Sequence, residues 1–201
     1  MEMTGEQLIP ASQQDTWKAL NDPAVLKQCV PGCETIDPSG ENQYQVLMVA
    51  RVGPVSAKFK GKLSLSDIRP PESYAIAFEG QGGAAGFAKG SARVRLSSED
   101  HQTRLAYDVK ASVGGKLAQI GSRLVDAAAK KVADDFFRNF NDYFAARHAA
   151  PAAGHGAKEE EHHAEPVPRD PDLPDVSGTT LRFFAAGALV VAAVALLAFF
   201  G

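Results

Sequence analysis

Cysteine is scarce here: Cys29 and Cys33 are the only two in 201 residues. That excludes a disulfide-rich secreted scaffold. Net charge is also small, formally −3, so the totals offer no electrostatic footprint for nucleic acid. The N-terminal stretch MEMTGEQLIP lacks both the basic start and the apolar run of a cleaved secretion signal, so the main domain is expected to face the cytosol. The two cysteines flank Val30-Pro31-Gly32, with no further cysteine or paired histidine nearby to complete a four-ligand metal site. A cytosolic disulfide is disfavoured by compartment. They read as small buried hydrophobes beside a Pro-Gly turn. Of the five histidines, His101 falls in a turn, and His148, His155, His162 and His163 fall at or beyond the end of the last helix. No Ser-His-Asp or Cys-His pattern stands out. There is no internal repeat.

What is present divides the chain into three. Residues 1–147 alternate strand and helix patterns. Residues 148–180 are rich in Pro, Ala, Gly and acid and nearly devoid of large apolar side chains, so they cannot offset their own ordering entropy and read as a disordered tether. The EEEHH stretch within it reads as solvated chain. Residues 181–201 end in FFAAGALVVAAVALLAFFG, which has no charged or polar side chain. As a helix this run spans about 27–29 Å, close to the thickness of a bilayer core. A core helix and an in-plane amphipathic helix would each need a polar face, which it lacks. Arg182 precedes the run and nothing basic follows, so the expectation is a tail anchor in the cytoplasmic membrane with the globular domain facing the cytoplasm. The segment 148–182 holds seven of the 24 acids and three of the 21 lysines and arginines, leaving a nearly neutral domain of 17 acids and 18 bases.

Within the domain the period-2 signal dominates. In VSAKFKGKLSLS, apolar or small residues from Val55 to Leu65 alternate with Lys58, Lys60, Lys62 and serines. Tyr74, Ile76 and Phe78 share a face, as do Ala92, Val94 and Leu96, and Leu105, Tyr107 and Val109. NQYQVLMVARV is a further strand, and residues 2–9 and 34–38 are shorter ones, about seven antiparallel strands in all. Ser12 and Asp15 cap a first short helix, and Pro23 opens a second. A long helix is expected from about 116 to 147, with Leu117, Ile120, Leu124, Ala128, Val132, Phe136, Phe140 and Phe144 on one face. The only element long enough to cover the sheet is that helix. The fold class is therefore α+β: a curved antiparallel sheet gripping a long C-terminal helix, plus one C-terminal transmembrane helix.

This order resembles the helix-grip fold of the START and Bet v 1-like (SRPBCC) superfamily. Three motifs narrow it: CVPGCE at 29–34, GQGGAAGFAKGSARVRL at 80–96, and VGGKLAQIGSRLVDAAAKKVADDFFRNF at 113–140 resemble the carbon monoxide dehydrogenase G-subunit family. The resemblance covers residues 1–147. It implies an accessory protein, not an enzyme, that brings an aerobic molybdenum hydroxylase such as carbon monoxide dehydrogenase to the membrane. It also implies a hydrophobic quinone, menaquinone or ubiquinone, in the grip cavity. The superfamily also hosts cyclase- and hydrolase-type enzymes, but the sequence offers no convincing acid or base for one.

A grip cavity would be lined by Phe59, Leu63, Phe78, Phe87, Val94, Leu105, Tyr107, Leu117, Ile120 and Leu124. Its mouth is expected near the start of the long helix, where glycines leave space, and Tyr107 is placed to donate a hydrogen bond to a quinone carbonyl. Phe136, Phe137, Phe140, Tyr143 and Phe144 read as core packing at the closed end. The lysine stripe is either a solvated face or a contact for lipid headgroups or an acidic partner. GQGGAAGFAKG, residues 80–90, fits a loose dinucleotide fingerprint but runs from strand to strand, where a phosphate loop must open a helix. Gly80, Gly82, Gly83, Gly86 and Gly90 are instead expected in a mobile flap that gates the cavity or docks the partner.

Overall fold

The structure, a computed structural model, describes residues 1–149. The expected tether and membrane anchor lie outside the described residues, apart from His148 and Ala149, which prolong the last helix. Among the described residues no helix is long and apolar enough to cross a membrane.

Strand β1 (Glu2–Ile9) is followed by helices α1 (Gln13–Leu20) and α2 (Pro23–Cys29). Strands β2 (Cys33–Gly40), β3 (Gln43–Val52), β4 (Val55–Arg69), β5 (Ser73–Gln81), β6 (Phe87–Glu99) and β7 (Gln102–Gly114) then run as a meander. Helices α3 (Lys116–Gln119) and α4 (Ser122–Ala149) end the domain. The seven strands form one antiparallel sheet in the order β1-β7-β6-β5-β4-β3-β2. The first strand thus pairs with the last, with Gly5 opposite Tyr107.

Alternation sorts the two faces. On β3, Tyr44, Val46, Met48, Ala50 and Val52 are buried while Gln43, Gln45 and Arg51 face water. The same rule buries Phe59 and Leu63 on β4, Ile76 and Phe78 on β5, and Val94 and Leu96 on β6. Helix α4 closes this face with Val125, Ala129, Val132, Ala133, Phe136, Phe137, Phe140 and Phe144. The phenylalanines form a continuous aromatic run, Phe136 lying 5.1 Å from Phe137 and 5.4 Å from Phe140 between ring centroids.

The short helices bracket one end. Ser12 caps α1 by accepting from the Asp15 amide at 3.1 Å, and Asp22 caps α2 by accepting from the Ala24 amide at 2.9 Å. The Gln13 amide donates to the Leu96 carbonyl at 2.9 Å, tying α1 to β6. The Thr16 hydroxyl donates to Thr103, which in turn donates to the Ala11 carbonyl, so both buried hydroxyls are satisfied. The Asn139 amide donates to the Cys29 carbonyl at 3.0 Å and fastens α4 to α2.

The helix expected to run unbroken from 116 is two helices. Gly121, at φ +94, occupies a left-handed conformation that L side chains rarely adopt. Within α4, Val125 and Ala129 take the buried positions, and Leu124, expected on the apolar stripe, is 51% exposed, because two steps of four residues back from Val132 turn it about 80° around the helix. From Val132 onward the expected stripe and the buried face coincide.

Candidate functional site

A crevice of about 280 Å³ lies between the first strand and the last helix. Met1, Glu2, Met3, Thr4, Gly5 and Gln7 of the β1 side, Tyr107 of β7, and Asp126, Lys130 and Asp134 of α4 line it. Its geometry follows from local sequence. Tyr107 belongs to the inward-facing set of β7, and its cross-strand neighbour is Gly5. A Cβ at Gly5 would overlap the Tyr107 hydroxyl and ring, so only glycine lets the phenol lie flat across β1. The ring stacks on Phe137 at 5.6 Å and 24°, which fixes its plane. Asp126, Lys130 and Asp134 recur every fourth residue and so share a helix face. Lys130 donates to Asp134 at 2.8 Å, an exposed pair of small energetic weight.

Burial raises the Tyr107 phenol above its ordinary value, and the nearby Asp134 charge adds to the rise. Tyr107 therefore stays protonated through the neutral range and keeps its O–H as a donor. Lys130 is likewise held protonated by its hydrogen bond to Asp134. The crevice thus sets the Tyr107 and Lys130 donors beside an apolar ring and two methionines, with Thr4 and Gln7 and the carboxylates of Glu2, Asp126 and Asp134 around them. A flat ligand with carbonyl acceptors would meet its donors at Tyr107 and Lys130.

Tyr107 is the one residue of the expected cavity lining that meets this crevice. Phe59, Leu63, Phe78, Val94, Leu105 and Leu117 are all at most 4% exposed and belong to the packed core. Ile120 is partly buried against that core. Phe87 and Leu124 are 47% and 51% exposed. At the start of the helix, where a mouth was expected, Leu117 is fully buried and the Phe59 ring abuts Gly82 so closely that a Cβ there would overlap it. The crevice lies instead beside the first half of the chain's last helix.

The glycine loop also departs from expectation. Gly80 and Gly90 are strand residues, paired with Ala88 and Phe78. What connects β5 to β6 is a compact turn, in which the Gly82 amide donates to the Gly86 carbonyl at 2.8 Å and the Gly86 amide to the Gly83 carbonyl at 3.1 Å. Gly86 packs backbone to backbone against Gly114 and Gly115, with no room for a side chain. Gly82, Gly86 and Gly90 serve close packing, whereas Gly83, at φ +58 with open space around it, serves the turn. With Gly80 and Gly90 in the strands, the connection is shorter than the expected flap of residues 80–90.

Gly5, Met3, Asp126, Lys130 and Asp134 do not stand out from sequence. The available signals were a lone glycine inside a strand, which marks a close approach, and a four-residue charge period on α4. The cysteines sit as expected: Cys29 is buried, Cys33 half-buried, and both are free. Burial pushes each thiol up to about 11. Little thiolate then exists at pH 8, so alkylation by iodoacetamide should be many-fold slower in the folded protein than in urea. Equal rates in the two states would show the thiols to be unprotected.

The family model described as the G subunit of carbon monoxide dehydrogenase (CoxG) matches residues 5–145. No curated protein matches the chain by sequence. Among solved structures, a conserved protein from Geobacillus kaustophilus is 30% identical, with a TM-score of 0.69, covering 73% of this chain and 96% of its own. A protein from Mycobacterium smegmatis is 17% identical, with a TM-score of 0.55 over 73% of this chain and 92% of its own. One from Thermus thermophilus is 14% identical, with a TM-score of 0.55 over 73% and 99%. At those identities the last two speak for the fold alone.

Proposed function

The chain belongs to the carbon monoxide dehydrogenase G-subunit (CoxG) family, and from that membership we propose a membrane-anchored accessory protein that carries a respiratory quinone for a molybdenum hydroxylase of the carbon monoxide dehydrogenase type. Membership supports the accessory role. The apolar run at 181–201 supports recruitment to the cytoplasmic membrane. The observation that carries the quinone reading is the crevice beside Tyr107. Its volume of about 280 Å³ accommodates a ring system and not the isoprenoid tail, which has to lie outside it. The Tyr107 hydroxyl and the Lys130 ammonium are donors, and a quinone's two carbonyl oxygens only accept. Stacking on Phe137 holds the Tyr107 ring in place, so little freedom is lost on binding.

A second reading, an adaptor without ligand, draws support from the closed core. Six residues of the expected lining are buried in one hydrophobic cluster, though Leu63 and Phe78 also border an open basin. Calorimetric titration of the purified full chain with a short-chain quinone separates the two. Binding at one site is expected, weakened roughly 2- to 12-fold by Tyr107→Phe, as loss of one neutral hydrogen bond implies. Absence of binding would leave the adaptor reading. Binding unaffected by Tyr107→Phe would place the ring elsewhere.

A further inference from the structure

The solvent face of the central strands is strongly asymmetric in charge. From Ser56 to Ser66 on β4, Ala75 to Gln81 on β5 and Phe87 to Arg95 on β6, the outward positions carry Lys58, Lys60, Lys62, Lys89, Arg93 and Arg95 against a single carboxylate, Glu79. The domain as a whole is nearly neutral, so this face concentrates positive charge. Lys58 is held by Glu34 at 2.7 Å and Arg95 by Asp108 at 3.6 Å. Among the described residues no ion pair engages Lys60, Lys62, Lys89 or Arg93.

The face is also concave. An open basin of about 940 Å³ crosses it, walled by Lys62, Lys89 and Lys110 and also by Glu2 and Glu79. Glu2 holds Lys110 at 3.1 Å and Glu79 stands between Lys62 and Lys89 in register, which leaves Lys62 and Lys89 as the basin's cations outside any ion pair among the described residues. The register explains the hollow: Ser64, Ala77 and Ser91 stand side by side on adjacent strands, so short side chains form a floor between longer cationic ones. A concavity of this kind suits an extended acidic chain better than a flat surface.

The chain carries such a segment. Residues 159–175 contain Glu159, Glu160, Glu161, Glu165, Asp170, Asp172 and Asp175 against Arg169 alone. We propose that this acidic segment docks in cis across the lysine-lined basin of β4–β6. Reach permits it. Arg147, in the last turn of α4, lies close enough to Asp15 to act on its carboxylate. Gln13, on the same helix as Asp15, bonds the Leu96 carbonyl near the end of β6. From Leu96 back to Lys89 the strand covers about 23 Å at roughly 3.3 Å per residue. The steps from Ala149 through α1 to Leu96 lengthen that path beyond the ten residues to Glu159, which span at most about 33–36 Å. The sixteen residues to Glu165 span up to about 53–58 Å, and the acids after it reach further. Covalent linkage holds the segment at an effective concentration of order millimolar, enough for modest charge complementarity to keep it seated. An anionic partner would then have to displace it to reach this face. The docking is independent of whether the crevice takes a quinone.

Zero-length carbodiimide cross-linking of the full chain tests this, in nanodiscs of phosphatidylcholine prepared from an equal mixture of ¹⁴N- and ¹⁵N-labelled protein. Peptide mass spectrometry should find Glu165, Asp170, Asp172 or Asp175 joined to Lys60, Lys62 or Lys89 within one isotope. These links should exceed those to other exposed lysines, such as Lys18 and Lys116, several-fold. They should fall several-fold at about 1 M salt, where the Debye length is about 3 Å. Lys62→Glu with Lys89→Glu should remove them, and adding Glu165→Lys, Asp170→Lys and Asp172→Lys should restore links with the charges exchanged. Links spread evenly over all lysines, or insensitive to salt, would overturn the proposal. Mixed-isotope links would overturn it by assigning the face to a second copy. No links, with the face lysines shielded only when anionic lipid is added, would overturn it by assigning the face to the membrane.

Discussion

Phe136→Ala should lower the stability of the domain by about 3–5 kcal/mol. A domain of ordinary size holds only about 5–15 kcal/mol in total, so this one truncation removes a large share. Phe136 is fully buried, its ring edge-on to Phe137 and stacked on Phe140. The cavity left behind would be lined by aromatic rings that cannot collapse without moving α4. Phe137 is also the ring on which Tyr107 stacks, so the loss should reach the crevice and weaken ligand binding in whatever fraction stays folded. Leu8→Thr provides the contrast. Leu8 is 44% exposed on the edge strand, and the change should stay within about 0.5 kcal/mol. Urea denaturation of the two variants decides the matter; similar midpoints would mean that the aromatic run does not hold the helix to the sheet.

Deleting residues 181–201 should move nearly all of the protein from the membrane fraction to the soluble fraction. The run from Phe183 to Gly201 carries no charged or polar side chain, and insertion of such a helix is effectively irreversible. The described domain offers no apolar helix to replace it. Fractionation followed by immunoblotting reads the protein, and oxidase activity in washed membranes reads the partner. Both should leave the membrane together if this chain is the tether. A truncated protein that still sediments with membranes would show attachment through the domain itself; an oxidase that stays behind would show that it has its own anchor.

Much of the fold was legible because period-2 alternation has a direct physical cause. Each strand of this sheet has one buried face, so Tyr74, Ile76 and Phe78, or Leu105 and Val109, announce both strand and side. The pairing of β1 with β7 was not legible. It joins residues about a hundred positions apart, and nothing in EMTGEQLI names a partner. The split of the last helix was hidden for a related reason. A glycine such as Gly121 is tolerated inside a helix, and only its positive φ shows that it separates two elements. Leu124 misleads for a different reason: a strict four-residue spacing drifts about 40° per step, which carries it off the buried face.

The candidate site was legible at one residue, Tyr107. Its neighbours were not, because the crevice is made by the β1–β7 pairing and by a polar stretch of α4, and a search for apolar lining passes over both. The aromatic and aliphatic residues expected around a cavity are simply those that pack best. Phe59, Leu63 and Leu105 fill the core because they are large and apolar, which is the reason they are candidates at all. The glycines of 80–90 mislead in the same manner. In sequence they suggest freedom, whereas Gly82 and Gly86 mark places where other groups come too near for a side chain.

Full-length protein extracted from its native membrane in mild detergent, purified and subjected to lipid extraction, should yield one quinone per chain by quantitative mass spectrometry, reduced several-fold in Tyr107→Phe protein of equal stability. Extracts with no quinone above the level in an unrelated membrane protein prepared in parallel would contradict the carrier function and leave an adaptor.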